Sequence, residues 1–381
     1  MDFNFNPEQR QFADALKRWI GRDYGFEARR AIVHSDAGVS DAAWATLVEL
    51  GMTALPVPEE QGGFSGTAVD MFVVMQELGR GLVVEPYFAT VLGAEFLRLG
   101  GLHAGLLERV ATGELKLACA LGERQSRHDM RDIATRAEAD ADGFLLHGEK
   151  KVVLHGAQAG MLVVSARTGG GQRDEDGITL FVVPAGAPGL RITGYRTPDG
   201  LRAADVVFDG VRVDATAVIG ATGAGWHILD AALDHGAGLL CAEAVGAMEA
   251  IFDATLDYLK TRQQFGAPIG KFQALQHRMA DMYIHLEQAR SMALLAAVKL
   301  GSGDAAERRR AVSAAKYRIN GAARFIGQQA VQLHGGMGVT DELPAAHYFK
   351  RLATIELTLG DADHHLARFI AQPAFREGVA A

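Results

Sequence analysis

The sequence predicts an α+β chain of three modules in the order helical, β, helical. Three observations carry that prediction. The chain opens on a helix-start signal followed by helical spacing. Near residue 116 the pattern changes to short β-branched runs. Between Pro198 and Pro268 there is no proline, which leaves room for one very long helix. The expected boundaries are an N-terminal helical domain at 1–115, a middle β-domain at 116–222 and a C-terminal helical bundle at 223–381.

In the first module Asn6 can cap a helix, Pro7 suits its first turn, and Gln9 has the spacing of a capping box. Phe12, Leu16, Trp19 and Ile20 then share one helical face. Helical pattern continues through "DAAWATLVELG" and "VDMFVVMQELGRGL", interrupted by the Pro- and Gly-bearing "PVPEEQGGFSG". In the second module "GFLLHGEKKVVL", "GMLVVSAR", "GITLFVVPA" and "ADVVFDGVRVD" are strand runs bounded by Gly, Pro and Asp. "GGGQRDEDG" reads as a flexible hairpin loop between two of them. In the third, Trp226 to Arg262 reads as one helix, with further helices over 273–301 and 306–333. This order excludes a doubly wound parallel sheet.

Composition narrows the function. The 381 residues are 49% hydrophobic and 22% charged, ordinary for a globular enzyme. A net charge of -8 argues against nucleic acid as a partner, because neutralising phosphates needs a basic face. Cys119 and Cys241 lie far apart, which fits a reducing cytoplasm and excludes a disulfide framework. "MDFNFNPEQRQ" has no apolar core of a signal peptide, and no run is long and apolar enough to span a membrane.

Some motifs mislead. "GAPIGKF" at 266–272 has the look of a phosphate loop but lacks its spacing, and Phe272 stands where a magnesium-binding hydroxyl belongs. "GDADHH" at 360–365 clusters Asp361, Asp363, His364 and His365, but consecutive residues rarely point at one ion, so no metal is expected. The informative stretch is "YLKTRQQFGAPIGKFQALQHRMADM" at 258–282. There Arg262 sits at a turn between two helices, where a guanidinium can grip a phosphate bidentately. Gln264 and Gln273 add amides, and Phe265 an aromatic face.

"RQQFGAPIGKFQALQ" resembles the R-x-Q-F-G-x-P-I-x-x-F-Q-x-x-Q signature of acyl-CoA dehydrogenases, and "VQLHGGMGVTDELP" at 331–344 resembles the family's Q-x-x-G-G-x-G-x-x-x-E-x-P segment. The likeness covers nearly the whole chain. It implies an N-terminal helical domain, a middle β-barrel and a C-terminal four-helix bundle, with FAD as cofactor and an acyl-CoA thioester as substrate. It further implies that Arg262, Gln264, Phe265, Phe272 and Gln273 contact FAD held mainly by a neighbouring subunit. Gln332, Gly335 and Gly336 would form another FAD-contacting segment, where glycine lets main chain approach the cofactor. An electron-transfer flavoprotein is the acceptor the family implies. The assembly it implies is a homodimer, a homotetramer or a heterotetramer with a second dehydrogenase chain.

The chain departs from the family beside the flavin ring. The T-E-P-x-x-G-S-D segment reads "GERQSRHD" at 122–129: Glu123 and Asp129 remain as cofactor-binding candidates, while Gly122, Arg124 and His128 replace threonine, proline and serine. The W-I-T segment reads Val152, Val153, Leu154, so Leu154 takes a flavin-contacting position without a hydroxyl. The base position of the Y-E-G-T motif falls on Leu359, and the alternative base position on the long helix falls on Gly236. Asp361 and Asp234 are the nearest acidic candidates for removing the α-proton. A missing base of this kind resembles the small-subunit, pimeloyl-CoA dehydrogenase-like members and suggests a base-deficient partner subunit. A nitroalkane-oxidase-like flavin oxidase with an aspartate base is a less favoured alternative.

Overall fold

The computed structural model describes residues 5–373. The first helices are α1 (Pro7–Asp23), α2 (Phe26–His34), α3 (Asp41–Glu49), α4 (Ala68–Arg80), α5 (Tyr87–Gly100) and α6 (Ala104–Ala111). The strands that follow are β1 (Leu117–Ala120), β2 (Arg136–Asp140), β3 (Gly143–Leu154), β4 (Met161–Arg167), β5 (Ile178–Pro184), β6 (Leu190–Arg196), β7 (Arg202–Asp214) and β8 (Val218–Ile219). After them come α7 (Trp226–Thr261), the short strands β9 (Gln263–Gln264) and β10 (Ala267–Pro268), α8 (Gln273–Leu300), α9 (Ala305–His334), α10 (Pro344–Leu357) and α11 (Ala362–Ile370). The helical–β–helical order is the one the sequence predicts.

Compactness cuts across that order and divides the chain into two units. The first comprises the N-terminal segment to Ala31, Thr67–Val83 and the chain from Ala237 onward; the second comprises Ile32–Gly66 and Val84–Gly236. In the first unit α1 carries the expected capping box: Gln9 N donates to Asn6 Oδ1 at 2.8 Å, and Asn6 N to Gln9 Oε1 at 2.9 Å. Gln9 also donates to Asp70 Oδ1 at 2.8 Å, and Asp70 completes a second capping box with Thr67. Two helix starts are thereby tied together.

Helix α7 has 36 residues and is about 54 Å long. From Leu239 to Glu249 it is buried all round, so it shows no single apolar stripe. Its crossing with α4 is so close that a Cβ on Gly246 would stand 1.8 Å from the carbonyl oxygen of Gln76. Only glycine fits there. Helix α10 is locked to α7 by a bidentate pair: Arg351 Nε donates to Glu243 Oε1 at 2.6 Å and Nη2 to Oε2 at 2.8 Å. Both side chains are buried.

In the second unit the strands run in the order β6-β7-β3-β2-β4-β5-β8, with β1 parallel to β4. Residues from all of them converge on one core, including Ala118, Leu146, Val164, Phe181, Val206 and Val218, so the sheet rolls around it. The "GGGQRDEDG" loop does join β4 to β5 as a hairpin. Its main chain is gathered by buried Arg167, whose guanidinium donates to the carbonyls of Gln172, Asp174 and Asp176. Helices α3 and α5 anchor on this unit through Trp44 Nε1 to Gly113 O at 2.9 Å and Leu117 N to Thr90 Oγ1 at 3.2 Å. No described helix is long and apolar enough to cross a membrane.

Candidate functional site

Two corners of the first unit carry most of the residues singled out by the sequence. The first begins where α7 ends, with Arg262 N donating to Tyr258 O at 2.8 Å. Strands β9 and β10 form a minimal hairpin whose two central residues, Phe265 at φ 52° and Gly266 at φ 74°, both adopt positive φ. That is the requirement of a type I′ turn. The hairpin holds Phe265 out at 90% exposure, its ring edge-on to Phe272 at 6.0 Å. Arg262, Gln264 and Gln273 are exposed as well. Arg262 has no ion-pair partner among the described residues.

Tyr258 stacks on His334 with ring centroids 4.5 Å apart. That contact brings the end of α9 to this corner, and with it Gln332, Gly335 and Gly336, all exposed. Gly335 sits at φ 62° as the α9 cap, and neither glycine has a neighbour within 4 Å of where a Cβ would stand. Between α7 and the start of α8 lies an apolar cavity of about 420 Å³, lined by Leu256, Leu259, Pro268 and Met279 with Lys260 and Lys271.

The second corner joins α10 to α11 and is built oppositely. Leu359 is left-handed at φ 57°, and Gly360 follows at φ 115°. A Cβ on Gly360 would meet His365 Nε2 at 2.5 Å. Asp361 is the N-cap of α11, its Oδ1 accepting from His364 N at 2.8 Å, and Asp363 lies in the first turn. His365 Nε2 donates to Leu359 O at 3.0 Å, which fixes the tautomer and leaves Nδ1 to accept from the Ser313 hydroxyl at 3.4 Å. Burial, then the charge of Lys316, pushes the His365 pKa down to about 2, so the ring is neutral.

Below this turn lies Lys316, which the sequence reading missed. Its ammonium is fully buried and donates to Ile355 O at 2.7 Å, Gly360 O at 3.3 Å, Glu356 O at 3.4 Å and Asn320 Oδ1 at 3.1 Å. The Asn320 amide reaches Glu356 O at 3.3 Å and Gly360 O at 3.4 Å. Burial lowers the Lys316 pKa to about 8. A sequence signal existed: Lys316 and Asn320 are polar at i, i+4 within the otherwise small and apolar face of "AVSAAKYRINGAA".

The second unit holds the remaining candidates. Glu123 is buried. Its carboxylate accepts from Lys150 Nζ at 2.7 Å, Gln125 Nε2 at 2.8 Å, Ala134 N at 2.8 Å and Thr135 N at 3.1 Å. Burial alone would raise its pKa, but the charge and hydrogen bond of Lys150 and the other donors outweigh it and hold the carboxyl below its usual range. Lys150, missed by the sequence reading, also reaches Leu121 O and Ser165 Oγ at 3.1 Å each. The Glu123 side chain thus organises the segment and is fully engaged within the chain.

Asp129 is half-buried and paired with Arg131 at 2.9 Å. Leu154 pairs with Ala203 at the end of β3, just beyond a register shift between Lys150 and Val153. That bulge turns Val152 outward at φ 52°. Asp234 lies buried on α7 within this unit. His147 and the other histidines form no group of three ligands, and no such metal cluster exists among the described residues.

An exposed guanidinium, three carboxamides, an outward aromatic ring and bare glycine main chain gather at one corner of a three-module helical–β–helical chain, an arrangement open to a polar ligand. The comparisons make it specific. Residues 6–114, 118–211 and 223–372 match the N-terminal, middle and C-terminal domains of acyl-CoA dehydrogenase in turn. The mitochondrial short-chain specific acyl-CoA dehydrogenase of Bos taurus is 32% identical over 326 residues, covering 83% of this chain and 78% of that protein. The ChsE4-ChsE5 complex from Mycobacterium tuberculosis is similar in structure, with a TM-score of 0.88, 26% identity and 100% of each chain covered. An FAD complex of PigA aligns with a TM-score of 0.89 at 25% identity, over 99% of this chain and 100% of that one. The chain belongs to the acyl-CoA dehydrogenase family, FAD-dependent oxidoreductases that dehydrogenate acyl-CoA thioesters.

The residues present fit FAD. Phosphates suit the unpaired Arg262, the amides suit polar edges of the nucleotide, and open main chain at Gly335 and Gly336 admits close approach.

Proposed function

We propose that this chain takes part in the α,β-dehydrogenation of an acyl-CoA thioester, with electrons passed on to an electron-transfer flavoprotein. FAD supplies the acceptor for the hydride that leaves Cβ. Arg262 would bind a cofactor phosphate, Gln264, Gln273 and Gln332 would orient its polar edges, and Phe265 and Phe272 would offer it aromatic surface. Gly335 and Gly336 let main chain lie against the nucleotide. Glu123 holds the Gly122–Asp129 segment in shape, and Leu154 packs without a hydroxyl. The observation that carries this reading, beside the family match, is the exposed hairpin at Arg262–Phe265, where the Arg262 and Gln264 side chains have no hydrogen-bond partner among the described residues.

Its test is flavin content per chain, measured alone and with co-expressed neighbouring-gene products, followed by flavin bleaching with butyryl-, octanoyl- and palmitoyl-CoA. No FAD in either preparation would sink the reading.

A finer reading concerns the base. The α-proton needs a carboxylate, yet Leu359 is apolar and the Asp361 carboxylate caps α11. We therefore assign the base to a partner chain and read this one as the base-deficient member of a heteromeric dehydrogenase, similar to pimeloyl-CoA dehydrogenase-like small subunits. The likeness to a chain of the ChsE4-ChsE5 complex supports it. Co-purification with a tagged second dehydrogenase chain tests it; full turnover by this chain alone would exclude it and return the role to Asp361 or Asp234.

A further inference from the structure

The turn at Leu359–Asp361 is held from outside itself. Main-chain carbonyls of residues 355, 356 and 360 accept from Lys316 or Asn320 on α9, and that of 359 accepts from His365 on α11. Among the described residues Lys316 has no carboxylate hydrogen-bond partner: its acceptors are three main-chain carbonyls and one carboxamide. Burying an unpaired ammonium is costly, and the compensation here is directional. The last carbonyls of a helix carry its negative end and lack partners within it. The ammonium is placed where those of α10 converge.

The conformation so held is one that leucine adopts reluctantly. A left-handed φ at Leu359 persists only where surroundings over-determine it. The charged groups facing the ammonium are Glu356 and Arg351 from α10 and Asp361 at the start of α11, together with the Cys241 thiol from α7 and the neutral ring of His365. The side chains seen to donate to those three carbonyls are Lys316 and Asn320, and Lys316 alone reaches all three.

We propose that Lys316 is a positioning residue for dehydrogenation: with Asn320 it sets the shape in which the Leu359–Asp361 turn meets the acyl chain. This rests on the dehydrogenase reading above. Leu359 then gives this chain's side of the acyl site an apolar residue where a base would otherwise stand, the proton going to the partner chain's base, and Lys316 holds the carbonyls that flank its left-handed turn.

The experiment uses the FAD-loaded protein with whatever chain co-purifies. Lys316→Met removes the donor at similar volume, and Asn320→Ala leaves the ammonium in place should the first variant fold poorly. Amide exchange is followed across 356–366 and, as an internal control, across α8. Flavin reduction is followed with the acyl-CoA that bleaches the wild type fastest. Lys316→Met should quicken exchange at the turn about tenfold or more while α8 is unchanged, and should lower kcat at least about tenfold with KM within about threefold. Asn320→Ala should move both in the same direction by less. Faster exchange with unchanged reduction makes Lys316 a strut only and overturns the proposal. So does exchange that rises equally in α8. A wild-type protein that holds FAD yet is bleached by no acyl-CoA fails at the dehydrogenase reading instead, and the two failures are thereby told apart.

Discussion

The corner at Arg262–Gln273 and the corner at Thr358–His365 belong to the same unit and both join long helices, yet they treat polar groups in opposite ways. In the first, Arg262, Gln264 and Gln273 are exposed and Phe265 projects on a two-residue turn. In the second, Lys316, Asn320, His365 and Asp361 are all engaged with main chain. The difference teaches how to sort polar residues at a site. Groups left without internal partners on a rigid support are available to a ligand; groups that close main-chain hydrogen bonds shape the support. Removing a member of the first kind should cost binding with the support intact, and removing one of the second should disturb the support itself.

The largest expected effect lies on the closed side. Arg351→Ala leaves Glu243 buried without its bidentate partner and should lower stability by about 3–5 kcal/mol. Chemical denaturation reads it, and a loss under about 1 kcal/mol would show that water reaches Glu243.

On the open side, Arg262→Ala should leave the unfolding midpoint of the FAD-free protein unchanged. It should weaken FAD retention by about 1.5–3 kcal/mol, roughly ten- to a hundredfold. Equilibrium dialysis of the assembled protein measures it. Unaltered affinity would remove Arg262 from the cofactor site.

A titration sharpens the contrast. His365 is buried and neutral, with a folded pKa near 2 against 6.5 unfolded. The unfolded chain therefore binds the extra proton between those values, and this contribution to stability, complete above pH 6.5, is lost as pH falls. The slope is about 1.4 kcal/mol per pH unit. His365→Gln keeps a donor for Leu359 O and does not titrate, so its stability between pH 6.5 and 5 should fall less steeply than that of the wild type. Parallel acid limbs would contradict the assignment.

The smallest effect separates cap from base. Asp361→Ala should cost about 1 kcal/mol as a lost N-cap, whereas Asp361→Asn should keep it. With the base on a partner chain, the Asn variant should bleach with acyl-CoA at near the wild-type rate. If it binds FAD but no longer bleaches, Asp361 is the base after all.

Much of the open corner was legible in sequence because its determinants are local. Turn residues, a helix end and a start lie within a dozen positions, and the R-x-Q-F-G-like spacing is nearly continuous. The closed corner was harder to read. Lys316 and Gly360 are 44 positions apart, and nothing local to "AAKYRINGAA" announces that its cation meets carbonyls on another helix. Glu123 shows the same limit from the other side. Its position matched a flavin-proximal motif, while its carboxylate is committed to Lys150 and two main-chain amides.

Periodicity, caps and proline placement determined the helical–β–helical order by themselves, since each depends on neighbours a few residues away. Only the tertiary structure decided how those segments are shared between two compact units, with α1 and α4 counted alongside the C-terminal helices. It alone decided which polar side chains remain available. The reason is physical: burial and hydrogen-bond satisfaction are set by groups brought together from distant parts of the chain. A buried lysine of α9 with three carbonyls in reach and a lysine in water are the same letter in the sequence.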